Sequence, residues 1–190
     1  MKNSITIALL VVIIINLCSC GGEILPKPKA MLRLSYPPSE YAKLELDCPY
    51  TFEKNNISDI QVPLKGKKCW YNIEYSSLKA TIYISYYAIN NNLESLLRDA
   101  QNLTQEHVVK ADAIQPKDFV YPEKRIFGRM YEVSGNAASP YQFYLTDSTR
   151  HFVSGSVYFK IKPNYDSILP AANYLRNDIM HIMETIQWKE

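Results

Sequence analysis

The residues best suited to covalent chemistry are the four cysteines, Cys18, Cys20, Cys48 and Cys69. The first two close an aliphatic run, Ile5 to Leu17, that follows a positive charge at Lys2. At about 13 residues the run is too short for a helix to span a hydrocarbon core of roughly 30 Å, and it has the proportions of an export signal's apolar region. Leu17-Cys18-Ser19-Cys20 has the order of a bacterial lipoprotein processing site: a leucine, two small residues, then the cysteine that is acylated. Choosing Cys18 instead would put the bulky Leu17 where a small residue is needed. Residues 1–19 are therefore expected to leave as a signal peptide, with Cys20 as the lipidated N-terminus. Several acyl chains there anchor far better than one. That anchor places the mature chain outside the cytoplasm, where Cys48 and Cys69 are expected to form a disulfide. Closing the loop would stabilise the fold by roughly 3 kcal/mol; the alternative is two buried free thiols.

The remaining candidates for chemistry do not assemble. Of the three histidines, His107 sits on an apolar helical stripe, His151 begins a strand after a turn, and His181 follows a methionine on the last helix. No HExxH or comparable ligand spacing links them, so no metal or cofactor is expected. "GNAASP" (Gly135 to Pro140) lacks the G-x-S-x-G pattern and reads as a loop between strands. "KGKK" (Lys65 to Lys68) reads as a solvated basic turn, and no glycine-rich phosphate loop is present. A net charge of +2 offers no electrostatic argument for nucleic acid, which is not expected as a partner. Tyrosine is abundant, with 15 copies, and Tyr83 and Tyr87 share one strand face. Left exposed, they would form an aromatic platform for glycan; the competing expectation is a sheet face covered by helices. The residues thus describe a binding or structural protein and not an enzyme.

The elements that would position these residues follow from periodicity. Residues 20–45 read as the lipidated N-terminus and an extended tether, because Gly21-Gly22 is flexible and "LPKPK" (Leu25 to Lys29) is held extended by its prolines. Residues 46–190 read as one α+β domain. "YTFEK", "CWYNIEY" and "ATIYISYYA" alternate as strands, with Ile82, Ile84 and Tyr86 on one side of the last and Thr81, Tyr83, Ser85 and Tyr87 on the other. The period then changes. Asn92 is a suitable N-cap, and Leu93, Leu96, Leu97, Ala100, Leu103, His107, Val108 and Ala111 make one helical stripe. "RIFGRMYEV", "YQFYLT" and "HFVSGSVYFKI" return to strand, with Gly155 marking a bulge or a close approach. A second helix starts at Asp166 or Ser167, with Pro170 in its first turn and a buried stripe of Ile168, Ala172, Leu175, Ile179, Ile182, Met183 and Ile186. The expected fold is a mainly antiparallel sheet with two long amphipathic helices, one on each face. Its element order is similar to that of Mog1/PsbP-like proteins, an analogy that carries no function.

The long stretches "CWYNIEY…LKATIYISY", "NNNLESLLRDAQNLTQEHVVKADAI", "YEVSGNAASPYQFYLTDSTRHFVSGSVYF" and "KPNYDSILPAANYLRNDIMHIMETIQW", together with Cys20 and "LPKPKAMLRLSYP", resemble the gliding motility lipoprotein GldD family of the Bacteroidetes over essentially the whole chain. The resemblance implies an envelope lipoprotein, held to a membrane by its lipid, that supports gliding and the associated type IX secretion machinery. Its implied partners are other gliding and secretion envelope proteins. It supplies no catalytic residues, and only Cys20 carries over as a position with assigned chemistry. In that phylum charged residues just after the lipidated cysteine mark surface display, and no acidic cluster follows Cys20, which favours a periplasm-facing protein. O-glycosylation there occurs at Asp-Ser/Thr followed by an aliphatic residue, Met or Thr. Asp147-Ser148-Thr149 and Asp166-Ser167-Ile168 both fit, and Ser148 is preferred because Ser167 is needed to cap a helix.

Overall fold

The computed structural model describes residues 35–106, 109–162 and 164–189. Cys20, the signal segment, most of the tether and His107 lie outside the described residues.

Seven strands form the main sheet. They are β3 (Asp59–Gln61), β4 (Tyr71–Tyr75), β5 (Ala80–Ala88), β6 (Ala111–Tyr121), β7 (Ile126–Gly135), β8 (Tyr141–Thr146) and β9 (His151–Phe159). Their order across the sheet is β3-β4-β5-β9-β8-β7-β6, and every neighbouring pair is antiparallel. A smaller sheet joins β1 (Tyr41–Leu44), β2 (Tyr50–Asn55) and β10 (Gln187–Trp188) in the order β1-β2-β10. Two helices, α1 (Leu93–Gln105) and α2 (Tyr165–Thr185), complete the fold. The expected α+β class, with its mainly antiparallel sheet, is what the chain adopts.

The same turn device closes two hairpins. A single 3-10 turn, Ser76–Leu78 or Pro122–Lys124, follows a tyrosine and ends on a basic residue in the left-handed region, Lys79 at φ 50° or Arg125 at φ 52°. The strands then pair immediately, Tyr75 with Ala80 and Tyr121 with Ile126.

Alternation sorts the main sheet's side chains onto two faces. One face buries Ile73, Ile82, Ile84, Leu145, Val153 and Val157. These pack in one apolar cluster with Leu175, Ile179, Ile182 and Met183 of α2 and with Tyr50 and Phe52 of β2. The buried stripe expected for α2 is observed at every position, Ile168 to Ile186. Gly155 lies on this face as a close approach: a Cβ there would stand 2.4 Å from the Phe143 ring. Cys48 and Cys69 are joined as a disulfide with Cα atoms 5.6 Å apart. It ties the loop before β2 to the residue before Trp70, and the Tyr50 hydroxyl donates to the Cys69 carbonyl at 2.8 Å.

Four sequence expectations need correction. Tyr41–Leu44, read as the end of the tether, is β1, because its backbone pairs with Phe52–Asn55. The α1 stripe does not reach Ala111. The helix stops at Gln105, and Ala111–Tyr121 becomes β6, paired with β7 along its length. Pro116 is accommodated there because β6 is the edge strand. Asn92 occupies the N-cap position but its side chain accepts from Asn90 N at 2.7 Å instead of capping the helix. Pro170 falls in the second turn of α2, which begins at Tyr165; Asn136 Oδ1, from the β7–β8 loop, accepts the Tyr165 N–H at 3.0 Å.

Candidate functional site

The opposite face of the main sheet is different in kind. Its residues form cross-strand rows: Tyr83–Ser156–Gln142 and Ser85–Ser154–Tyr144, with Tyr87 paired to Phe152. On β9, Ser156 thus lies between Tyr83 and Gln142, and Ser154 between Ser85 and Tyr144. The missing side-chain volume leaves a trough that α1, lying over β8 and β9, roofs without filling. The result is a cleft of about 420 Å³ whose roof includes Leu96, Asp99, Ala100, Leu103 and Thr104. Leu103, expected to be buried, is exposed at this roof, while Leu96 and Thr104 are the buried residues of α1.

Gln142, only 3 % exposed, is a buried polar group of the cleft. The Thr104 hydroxyl donates to its Oε1 at 2.9 Å, which turns the amide nitrogen the other way. That Nε2 is buried and has no hydrogen-bond partner among the described residues. An unsatisfied buried donor costs about 1–3 kcal/mol, which a ligand acceptor would offset. The aromatic margin is ordered. Tyr83 meets the edge of Tyr158 at 5.8 Å, Tyr144 stacks on Phe152 at 5.6 Å, and Tyr87 stands against Trp70 at 5.5 Å. Of the two tyrosines proposed as a platform, Tyr83 is 40 % exposed and Tyr87 is half-buried. Burial raises the Tyr87, Tyr144 and Tyr158 hydroxyls above their ordinary value, so each remains a neutral phenol that donates and accepts. Such a surface suits a neutral, hydroxyl-rich ligand with flat apolar patches.

The other candidates lie elsewhere. Ser148 is exposed at the tip of the β8–β9 turn with φ 66°, and the Ser167 hydroxyl donates to Asn164 O at 3.0 Å in the first turn of α2. His181 bonds Glu53 at 2.7 Å and stacks on Tyr41, while His151 is buried beside Tyr86. No group of three metal-ligating side chains occurs among the described residues.

Two buried aspartates were missed by the sequence reading. Asp147 accepts from the backbone N–H groups of Thr149, Arg150 and His151 and from the Thr149 hydroxyl. Burial alone would raise its pKa, but these bonds outweigh it and hold the carboxyl at about 2. Asp178, 1 % exposed on α2, accepts from the Tyr41 hydroxyl at 2.7 Å and from Asn55 Nδ2. Here burial prevails and the pKa is raised. A charged residue three positions after Leu175 and four before Ile182 was the available signal. For Gln142 there was little, because its partner Thr104 is distant in sequence.

Comparison with protein families matches residues 21–188 to the gliding motility lipoprotein GldD. The chain belongs to this family. Comparisons with curated proteins and with solved structures find no match. Membership in the GldD family makes the chain a gliding motility lipoprotein, associated with the cell envelope. Among the described residues no helix is long and apolar enough to cross a membrane.

Proposed function

We propose that this GldD-family chain is a non-catalytic assembly or stabilising component of the gliding apparatus and of the associated type IX secretion machinery. It is tethered through acylated Cys20 and faces the periplasm. The observation that carries this reading is the family match over residues 21–188. The use of ionisable groups supports the absence of catalysis. Asp147 and Asp178 are both occupied by bonds that hold elements together. Cross-linking the native lipoprotein in envelopes and purifying it tests the role. Motility and secretion proteins are expected to come down with wild type and not with Cys20→Ser; turnover of an envelope substrate by the purified chain would refute it.

A second reading is favoured by the cleft itself: a glycan-binding module, with peptidoglycan as the ligand class, using Tyr83 and Tyr87. The unpaired Gln142 amide beneath a tyrosine margin is the observation behind it. Retention of the protein on peptidoglycan, weakened by Tyr83→Ala, is the expected result; undiminished retention of that variant would exclude the cleft.

A further inference from the structure

A second pocket, also of about 420 Å³, opens where the β6–β7 turn, the β8–β9 turn and β10 meet. Lys124, Arg125, Arg150 and Lys189 line it against one carboxylate, Asp147, whereas the whole chain carries a net charge of only +2. Asp147 keeps its negative charge, because the three backbone N–H groups bonded to its Oδ1 are neutral donors, and it offsets one of the four cations. Lys124 donates to Glu184 O at 3.3 Å and Lys189 to Leu46 O at 2.7 Å. These carbonyls orient the ammonium groups while leaving them charged; Glu45, exposed and 3.7 Å from Lys189, is the one carboxylate paired with either among the described residues. Arg125 donates to Thr149 Oγ1 at 2.8 Å and stands 3.7 Å from Asp147. The Arg150 guanidinium has no ion-pair partner among the described residues.

The pocket wall holds a separate sign of a missing ligand. His151 is 7 % exposed, its Nδ1 lies 3.0 Å from the Tyr86 hydroxyl, and its Nε2 is buried with no partner among the described residues. If Tyr86 donates, the ring keeps its proton on Nε2 and one donor is left unsatisfied. The other tautomer would leave both the phenol proton and a ring acceptor without partners, so the first is preferred. Burial also holds the imidazole below its ordinary pKa, so at neutral pH it presents one N–H. The Trp188 indole stacks on this ring at 5.4 Å and is fixed by donation from Nε1 to Arg125 O at 3.0 Å.

We infer that this pocket binds a phosphomonoester, with the phosphoryl oxygens among Arg125, Arg150, Lys124, Lys189 and His151 Nε2 and the esterified group against Trp188. A doubly charged, multi-oxygen group matches several converging cations better than a carboxylate, which a single arginine satisfies. The volume exceeds what one phosphate needs and leaves room for its substituent. Two sources supply this chemistry: a free small-molecule phosphate or the headgroup of a lipid.

Titration calorimetry on the full-length chain in detergent tests the site, using inorganic phosphate, phenyl phosphate, dihexanoyl phosphatidic acid and, as control, dihexanoyl phosphatidylcholine. Saturable binding of phenyl phosphate, tighter than inorganic phosphate and weakened about tenfold or more by Arg150→Gln, is expected. Arg150 is exposed, so this variant is expected to fold; Lys124→Gln provides a second. Equal binding of phenyl phosphate and phosphatidic acid supports a free ligand. Preference for phosphatidic acid, with none for the choline lipid, supports a headgroup. Absence of saturable binding to all three phosphates, or binding unchanged in both variants, overturns the site.

Discussion

The two faces of the seven-stranded sheet are built from the same strands and differ in almost everything else. On one, Ile73, Ile82, Ile84 and Val157 are closed off by α2, a helix of 21 residues. On the other, Tyr83, Ser85, Ser154 and Gln142 lie under α1, a helix of 13 residues, and a cleft remains. Alternation along each strand lets a single residue step separate a position that holds the fold from one free to bind. The difference teaches where to look for function: not at the best-packed elements but at the face where small polar residues leave volume open.

The sharpest test of the contrast is a pair of truncations. Leu175→Ala, in the sealed face, is expected to cost about 3–4 kcal/mol, seen as a lower midpoint in chemical denaturation. Tyr83→Ala, on the open face, loses the edge contact with Tyr158 and is expected to cost about 1 kcal/mol in the same measurement. A large loss at Tyr83 would break the comparison. Slightly smaller than the Leu175 effect is that of removing the disulfide with Cys48→Ser/Cys69→Ser, about 3 kcal/mol, read as a shift between oxidised wild type and variant.

The two buried aspartates sharpen the comparison through pH. Asp147 has a lowered pKa, so its contribution is complete above the ordinary aspartate value near 3.8 and is lost as pH falls through about 2. Its size is at most about 2 kcal/mol, and Asp147→Ala should flatten the loss of stability in that acid range. Asp178 has a raised pKa, so the folded state binds the proton more tightly than the unfolded chain. Its contribution is greatest at or below pH 3.8 and declines as pH rises towards the raised value. Asp178→Asn, compared with wild type across that window, should therefore gain relative stability as pH rises. A parallel pair of profiles would remove Asp178 from the account.

Much of the sealed face was legible beforehand. The β5 alternation and the α2 stripe are local patterns, readable within 9 and 21 residues respectively. The failures arose where distant partners decide. Ala111 continues an apolar helical stripe, yet the β7 backbone draws the chain into a ladder. Tyr41 follows a proline-rich stretch that reads as spacer, but Asn55 waits across the small sheet. In the cleft Tyr83 and Tyr87 were visible as a shared face. Gln142, Ser154 and Ser156 were not, because their register with β5 is set by strands that lie far along the chain.

The arrangement of β1 and the disulfide has a mechanical consequence under the proposed N-terminal anchor. Tyr41 pairs with Asn55, so the end of β1 that meets the tether lies beside the far end of β2. A pull on the tether therefore meets the Tyr36 stack on Tyr174 and the Asn56 N–H bond to Glu40 O, then the Tyr41 contacts to Asp178 and His181, and opens the hairpin pair by pair. Peeling proceeds only to Cys48. There tension passes through the sulfur bridge to Cys69 and into β4, bypassing β2 and β3. Under such tension the segment 35–47 would serve as a short yielding spring, and the covalent link behind it would set its limit of travel.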